Sequence, residues 1–280
     1  VKINAHTIRG IDGSPATLYS YIMDNSPEVD EERQRPAVLI IPGGGYEMTS
    51  DREAEPIAMQ LLAAGFQAFV LRYSVKPSVY PTALIEAAEA MHVIRSRAEE
   101  FHVDSEKIAV LGFSAGGHLA ANLATRVGDE DIAAHGYDAD AVRPNALMLA
   151  YPVISSGQYA HRGSFDALLG ADRDNAHMLE KLSIEKHVDS STPPCFLWHT
   201  MTDDTVPVEN ALEFIQACHS AQVSIEAHLY PSGGHGLSLG TIETAWGGHL
   251  ESTNKAIRSW MPLALLWLKN LWDVDFSQAL

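Results

Sequence analysis

Long apolar runs are missing from this chain. None approaches the about 18 residues that a membrane-spanning helix needs, and no basic-then-apolar leader opens it. The expectation is a soluble, cytoplasmic protein that does not engage a membrane. Cysteine is scarce as well. Cys195 and Cys218 are the only two, without C-x-x-C or metal-ligand spacing, which excludes a disulfide framework and fits two buried thiols in a reducing compartment. Basic residues are few: 19 Lys and Arg stand against 36 Asp and Glu, a formal net charge of −17. That field repels nucleic acid and anionic surfaces. There is no G-x-x-x-x-G-K-[ST], no G-x-G-x-x-G opening a helix and no H-E-x-x-H, and the 13 histidines are scattered. Nucleotide, metal and cofactor are therefore all unexpected.

What is present is enough apolar residue, 46% of 280, to fill one sizeable core. Residues 1–23 alternate loosely and turn at Asp12-Gly13-Ser14-Pro15, the pattern of an antiparallel hairpin at a sheet edge. After it, short apolar runs alternate with helical patterns. Strands are expected at Ala37–Ile41, Phe66–Leu71, Lys107–Leu111, Ala146–Ala150, Cys195–His199 and Val223–Tyr230. Between them Ile57, Leu61 and Leu62 mark one helix, and Leu84 to Ala98 has the period of a second. A third spans Val208 to His219, with Leu212, Ile215 and Cys218 on one face, and a fourth runs from Trp260 with Ser259 as N-cap. This order predicts an α/β protein, residues 1–280 as a single domain, built on a mostly parallel, doubly wound sheet with helices on both faces. Residues 155–190 are polar and irregular, with short helical pieces at Phe165–Leu169 and His177–Lys186. They are expected to form a cap-like insertion over the C-terminal edge of the sheet.

The chain is organised around Gly112-Phe113-Ser114-Ala115-Gly116, a G-x-S-x-G between a strand and a helix. About one chain in ten of this length carries the pattern by chance, so context decides. A serine on a sharp strand-to-helix turn has an exposed hydroxyl and a helix N-terminus beside it for a developing oxyanion. That hydroxyl is a weak nucleophile until a base takes its proton and a third group orients the base. In this fold class acid and histidine follow the serine, on loops past later strands. Asp203 or Asp204 follows the Cys195–His199 strand, and His235 follows the Val223–Tyr230 strand, with His249 in Gly247-Gly248-His249 as competitor. His118, one turn past Ser114, reads as packing. Oxyanion donors are expected from Ala115 and from the loop Pro42-Gly43-Gly44-Gly45-Tyr46.

The sequence resembles the α/β-hydrolase serine esterases, most nearly their acetyl-esterase or acetyl-xylan-esterase-like branch. The resemblance rests on Ile41–Tyr46, Ser50-Asp51-Arg52-Glu53, Leu71–Val75, Gly112–Gly117, Trp198–Asn210 and Gly233–Leu239. It implies Ser114 as nucleophile, His235 as base, Asp203 as orienting acid, and Gly44, Gly45 and Ala115 as oxyanion hole. Pro42 stands where many relatives have histidine, and Thr200 where many have glycine. The resemblance further implies hydrolysis of short acyl esters, among them acetyl esters of sugars or xylan fragments. Tyr46, Tyr151 and Arg162 are candidate substrate-binding residues. A small-molecule ester is the expected partner, and a homo-oligomer is left open. The competing readings are a peptidase or amide hydrolase of the same superfamily, and a non-catalytic binding protein on this fold.

Overall fold

Along each central strand the odd and even residues serve different helices. In the computed structural model, which describes residues 1–125 and 128–274, eight strands form one sheet. They are β1 (Lys2–Arg9), β2 (Pro15–Ile22), β3 (Arg35–Ile41), β4 (Gln67–Arg72), β5 (Val103–Phe113), β6 (Ala146–Ala150), β7 (Cys195–Thr200) and β8 (Ile225–Tyr230). Their order is β1-β2-β4-β3-β5-β6-β7-β8. The expected hairpin β1–β2 is antiparallel and β2 pairs antiparallel with β4; every pairing from β4 to β8 is parallel.

The helices are α1 (Glu55–Ala63), α2 (Thr82–Ser96), α3 (Ser114–Ala124), α4 (Asp129–Ala134), α5 (Ala139–Val142), α6 (Arg162–Leu169), α7 (Ala176–Lys181), α8 (Glu209–Ser220) and α9 (Trp260–Trp272). Leu39, Phe69, Val110, Leu149 and Leu197 pack with α2, α3 and α8 on one face of the sheet. Their neighbours Val38, Val70, Leu111, Met148 and Trp198 pack with α1 and α9 on the other. Continuous apolar strands are the signature of a sheet covered on both faces. Among the described residues no helix is long and apolar enough to cross a membrane.

Three local expectations need correction. The helix over 209–220 turns Ala211, Phe214 and Cys218 to the core and leaves Leu212 exposed, because the face is set by i, i+3 and i+7 from Ala211. Ser259 stands at the N-cap position of α9 but its side chain makes no capping bond: a 3-10 turn over Ala256–Ser259 runs straight into that helix, and the Ser259 hydroxyl bonds Tyr230 instead. The strand before Ser114 is longer than its apolar run. It starts at Val103 and then slips register, since Arg35 pairs with Val103 but Ala37 with Ile108. The two cysteines are free and buried.

Register brings the strand ends together. Ile41 lies opposite Gly112, Phe113 opposite Ala150, Ala150 opposite Trp198, and Thr200 opposite Tyr230. The loops after β3, β5, β6, β7 and β8 therefore open on one edge, the place where open parallel sheets build their sites.

Candidate active site

Ser114 stands at the junction of β5 and α3 with φ +51°, a left-handed backbone that a non-glycine residue adopts at a cost. The cost is met by fit around the turn. A Cβ on Gly116 would run into the carbonyls of Ile41 and Pro42, so only glycine lets α3 start this close to β3. The Ser114 hydroxyl points to His235, with Oγ 2.7 Å from Nε2. On the far side of the ring, Nδ1 lies 2.7 Å from Asp203 Oδ2. A carboxylate only accepts, so Nδ1 carries the proton and Nε2 is free to accept from the serine.

Asp203 is held from all sides. Its Oδ1 accepts the N–H groups of Thr205 at 3.0 Å and Val206 at 2.9 Å. Its Oδ2 also has His199 Nε2 at 3.3 Å, and that nitrogen faces the Val206 carbonyl at 3.0 Å as well. Burial pushes the carboxyl upward, but the bonds from His199, His235 and Val206 outweigh it and hold Asp203 well below the usual carboxylate range. Asp204 is exposed and, among the described residues, accepts only from the Thr205 hydroxyl, at 3.4 Å. His249 is exposed beside Glu251. Of the competing pairs, the structure brings Asp203 and His235 to Ser114.

The loop after β3 is arranged by a carboxyl that the sequence did not single out. Glu53 is buried, and its Oε2 accepts the Gly43 N–H at 2.8 Å. Gly43 O in turn accepts from Ser50 N at 2.9 Å, and Gly44 O from Glu47 N at 3.0 Å. The Gly44 and Gly45 N–H groups have no hydrogen-bond partner among the described residues. A Cβ on Gly43 would lie 2.8 Å from the Ser114 Cβ, so this loop passes directly over the serine. Gly44 has φ +133° and Gly45 φ +67°, backbone shapes that glycine allows.

Of the three candidate substrate contacts, Tyr46 and Tyr151 are buried and Arg162 is exposed. Tyr46 is buried and its hydroxyl bonds His118 Nδ1 at 2.9 Å. His118 Nε2 donates to the Leu182 carbonyl at 2.9 Å, and burial pulls its pKa down to about 4. His118 is thus a neutral strut between the glycine loop and the 155–190 insertion. Tyr151 is buried, donates to Glu53 Oε1 at 2.6 Å and accepts from Ser238 N at 3.0 Å. Its ring meets that of His235 edge-on, with centroids 5.1 Å apart. Arg162 is exposed and spent on Asp166 at 2.8 Å and the Arg173 carbonyl at 3.0 Å. From the insertion the buried Ser164 comes near this loop, its Oγ 4.0 Å from where a Cβ on Gly45 would lie, and His161 is bonded to it at 2.8 Å. Burial lowers the His161 pKa, and the neighbouring His235 adds to that lowering.

The histidine loop is clamped from two directions. Thr200 and Thr202 hydroxyls hold the Gly233 carbonyl at 2.9 and 3.0 Å, so threonine at 200 ties the Asp203 loop to the His235 loop. Arg52 Nη1 holds the Gly236 carbonyl at 2.7 Å.

Residues 23–217 match the family model BD-FAE, about two-thirds of the chain, including Ser114 and Asp203 but ending before His235. The chain belongs to the BD-FAE family. It is 34% identical over 262 residues to endo-1,4-beta-xylanase B of Butyrivibrio fibrisolvens, covering 91% of this chain and 40% of that protein. It is 27% identical over 230 residues to the acetylxylan esterase of Xylanibacter ruminicola, covering 80% of this chain and 45% of that protein. The chain thus spans less than half the length of these curated relatives. Among solved structures, the acetyl ester-xyloside bifunctional hydrolase of Caldicellulosiruptor lactoaceticus is 36% identical, with a TM-score of 0.80 over 94% of this chain and 90% of that one. The BD-FAE chain described here therefore has the α/β-hydrolase fold, and the relatives at hand are largely ester hydrolases.

Proposed function

We propose that this BD-FAE chain is a serine carboxylic ester hydrolase that removes short acyl groups, acetyl first, from hydroxylated alcohols such as sugars and xylan fragments. The observation that carries the reading is the continuous path from Ser114 Oγ through His235 to Asp203, 2.7 Å at each step. Ser114 Oγ attacks the ester carbonyl while His235 Nε2 takes its proton. The resulting oxyanion lies where the N–H groups of Ala115, Gly44 and Gly45 can donate to it. Collapse breaks the C–O bond, and the alcohol leaves with the proton that His235 carried. Water, deprotonated by the same imidazole, then releases the acid and restores Ser114. Asp203 fixes the ring and its tautomer throughout.

The acetylxylan esterase and the acetyl ester-xyloside hydrolase among the relatives support acetylated sugars as the substrate class. The xylanase name belongs to a much longer protein and supports nothing about glycosidic bonds here. The net charge of −17 disfavours nucleic acid and anionic membranes as partners, and the two free thiols suit the cytoplasm. The test is an ester series from acetate to decanoate beside an aminoacyl amide, run with wild type and Ser114→Ala. Turnover by the variant should fall by about 10⁴-fold. Retention of a tenth of wild-type activity, or faster cleavage of the amide than of acetate, would overturn the reading.

A further inference from the structure

Trp246 is 65% exposed, an unusual placement for the largest apolar side chain. It is nevertheless held firmly. The Arg52 guanidinium lies over one face of the indole, 5.1 Å from the ring centroid. Arg52 is itself fixed by the carbonyls of Gly236 at 2.7 Å and Thr244 at 3.1 Å. Two glycines shape the turn that follows: Gly247 has φ +60° and Gly248 φ +73°, and a Cβ on Gly247 would press on the His249 ring at 2.7 Å. Backbone bonds from Gly248 N to Ala245 O and from His249 N to Trp246 O close it. Most of the Trp246 side chain remains open to solvent. Glu243 and Glu251, close by in sequence, are exposed too.

The position of this ring matters as much as its exposure. Gly236, which Arg52 grips, follows His235 directly, so Trp246 stands two contacts from the catalytic imidazole. A pyranose presents a face of C–H groups that packs on an aromatic plane, while its rim of hydroxyls seeks acceptors. An exposed indole backed by Arg52 offers the aromatic plane, whereas a polyanion would be repelled by this chain's charge. We propose that Trp246 is a carbohydrate platform beside the catalytic mouth, which takes an unacetylated sugar unit of an oligosaccharide ester. The proposal rests on the ester-hydrolase reading for its reaction, and goes beyond it in requiring a substrate longer than one sugar.

The experiment has two arms. In the first, an acetylated xylo-oligosaccharide is titrated into Ser114→Ala and into Ser114→Ala with Trp246→Ala, followed by calorimetry. Binding should weaken by about fivefold or more without the indole, and Trp246→Phe should restore most of it. In the second, kcat/KM is measured on the same oligosaccharide and on 4-nitrophenyl acetate. The ratio of the two should fall at least fivefold in Trp246→Ala. Equal binding by both variants, or an equal fall on both substrates, overturns the platform. If wild type cleaves no ester yet binds the oligosaccharide through Trp246, the ester-hydrolase reading fails and the platform stands.

Discussion

The Tyr151 hydroxyl donates to Glu53 Oε1 at 2.6 Å, and the other oxygen of the same carboxyl takes the Gly43 N–H at 2.8 Å. One buried group thus fixes both halves of the site. Through Gly43 it sets the peptide planes of the loop over Ser114. Through Tyr151, whose ring lies edge-on to His235, it backs the imidazole. Glu53→Gln keeps the shape but turns an amide N–H₂ toward one of two donors, so one bond is lost. Losing an oxyanion donor outright costs about 10²- to 10³-fold in kcat, so a donor shifted but not removed should cost roughly tenfold to a hundredfold, with KM little changed. Tyr151→Phe breaks the same link, so the double variant should be scarcely worse than the more impaired single one. Additive losses would show that Glu53 acts on the two loops separately.

A second prediction concerns the register of the acid. Asp203→Asn should lower kcat by about 10⁴-fold, because an amide stabilises the wrong imidazole tautomer. Asp204→Asn should stay within about threefold, since among the described residues that side chain accepts only from Thr205. Because His199, His235 and Val206 hold Asp203 below the usual carboxylate range, it remains ionised across the working pH. The carboxylate is then present to orient the imidazole throughout. Loss in Asp204→Asn alone would contradict this assignment.

Much of this was legible in the sequence, because the signals are local. Gly112, Ser114 and Gly116 mark the turn between β5 and α3, and alternating apolar runs mark the sheet. What was not legible depends on contacts far apart in the chain. Glu53 lies within a run that resembled the family, yet its role follows only when Gly43 and Tyr151, 98 positions away, converge on it. Tyr46 and Tyr151 stand at strand ends where substrate was expected. Their hydroxyls are taken by His118 and Glu53, which a one-dimensional reading cannot reveal. Leu212 was placed in the core by its apolar character. The helix phase, fixed by Ala211 and Phe214, turns it outward.

Two buried groups give opposite slopes to stability in acid. Burial pulls His118 to about 4, against about 6.5 unfolded. Between those values the unfolded chain binds a proton that the folded one refuses, so this contribution is full above the unfolded value and is lost as pH falls toward 4. Burial pushes Glu86 up to about 7, despite its bonds from Ser74, against about 4.3 unfolded. There the folded chain holds the extra proton, so this contribution is full below the unfolded value and is lost as pH rises through 7. Glu86→Gln should therefore lose Tm more steeply than wild type as pH falls from 7 to about 4.5. His118→Gln should lose it less steeply below about 6.5. Curves parallel to wild type, measured by calorimetry, would remove both groups from the balance.

The last prediction is the acyl chain length. A long acyl chain gains about 0.8 kcal/mol for each methylene it buries, but only where an apolar wall receives it. The 155–190 insertion has apolar residues enough for such a wall and does not use them so. Phe165, Leu168, Leu169, Leu182 and Ile184 are buried in the core on the α2 and α3 side of the sheet. The part of the insertion next to the glycine loop is polar: the buried Ser164, bonded to His161. Other polar groups of the insertion are spent on its own shape: Ser155 N bonds Asn210, and the Ser156 hydroxyl bonds the Leu179 carbonyl. An acetyl or propionyl group needs no apolar wall, whereas each further methylene gains only where such a wall receives it. kcat/KM should therefore peak at acetate or propionate and fall more than tenfold by octanoate, roughly 1.4 kcal/mol or more. A maximum at octanoate or beyond, or activation at a lipid–water interface, would mean that the insertion opens to expose the buried leucines and that the protein acts as a lipase.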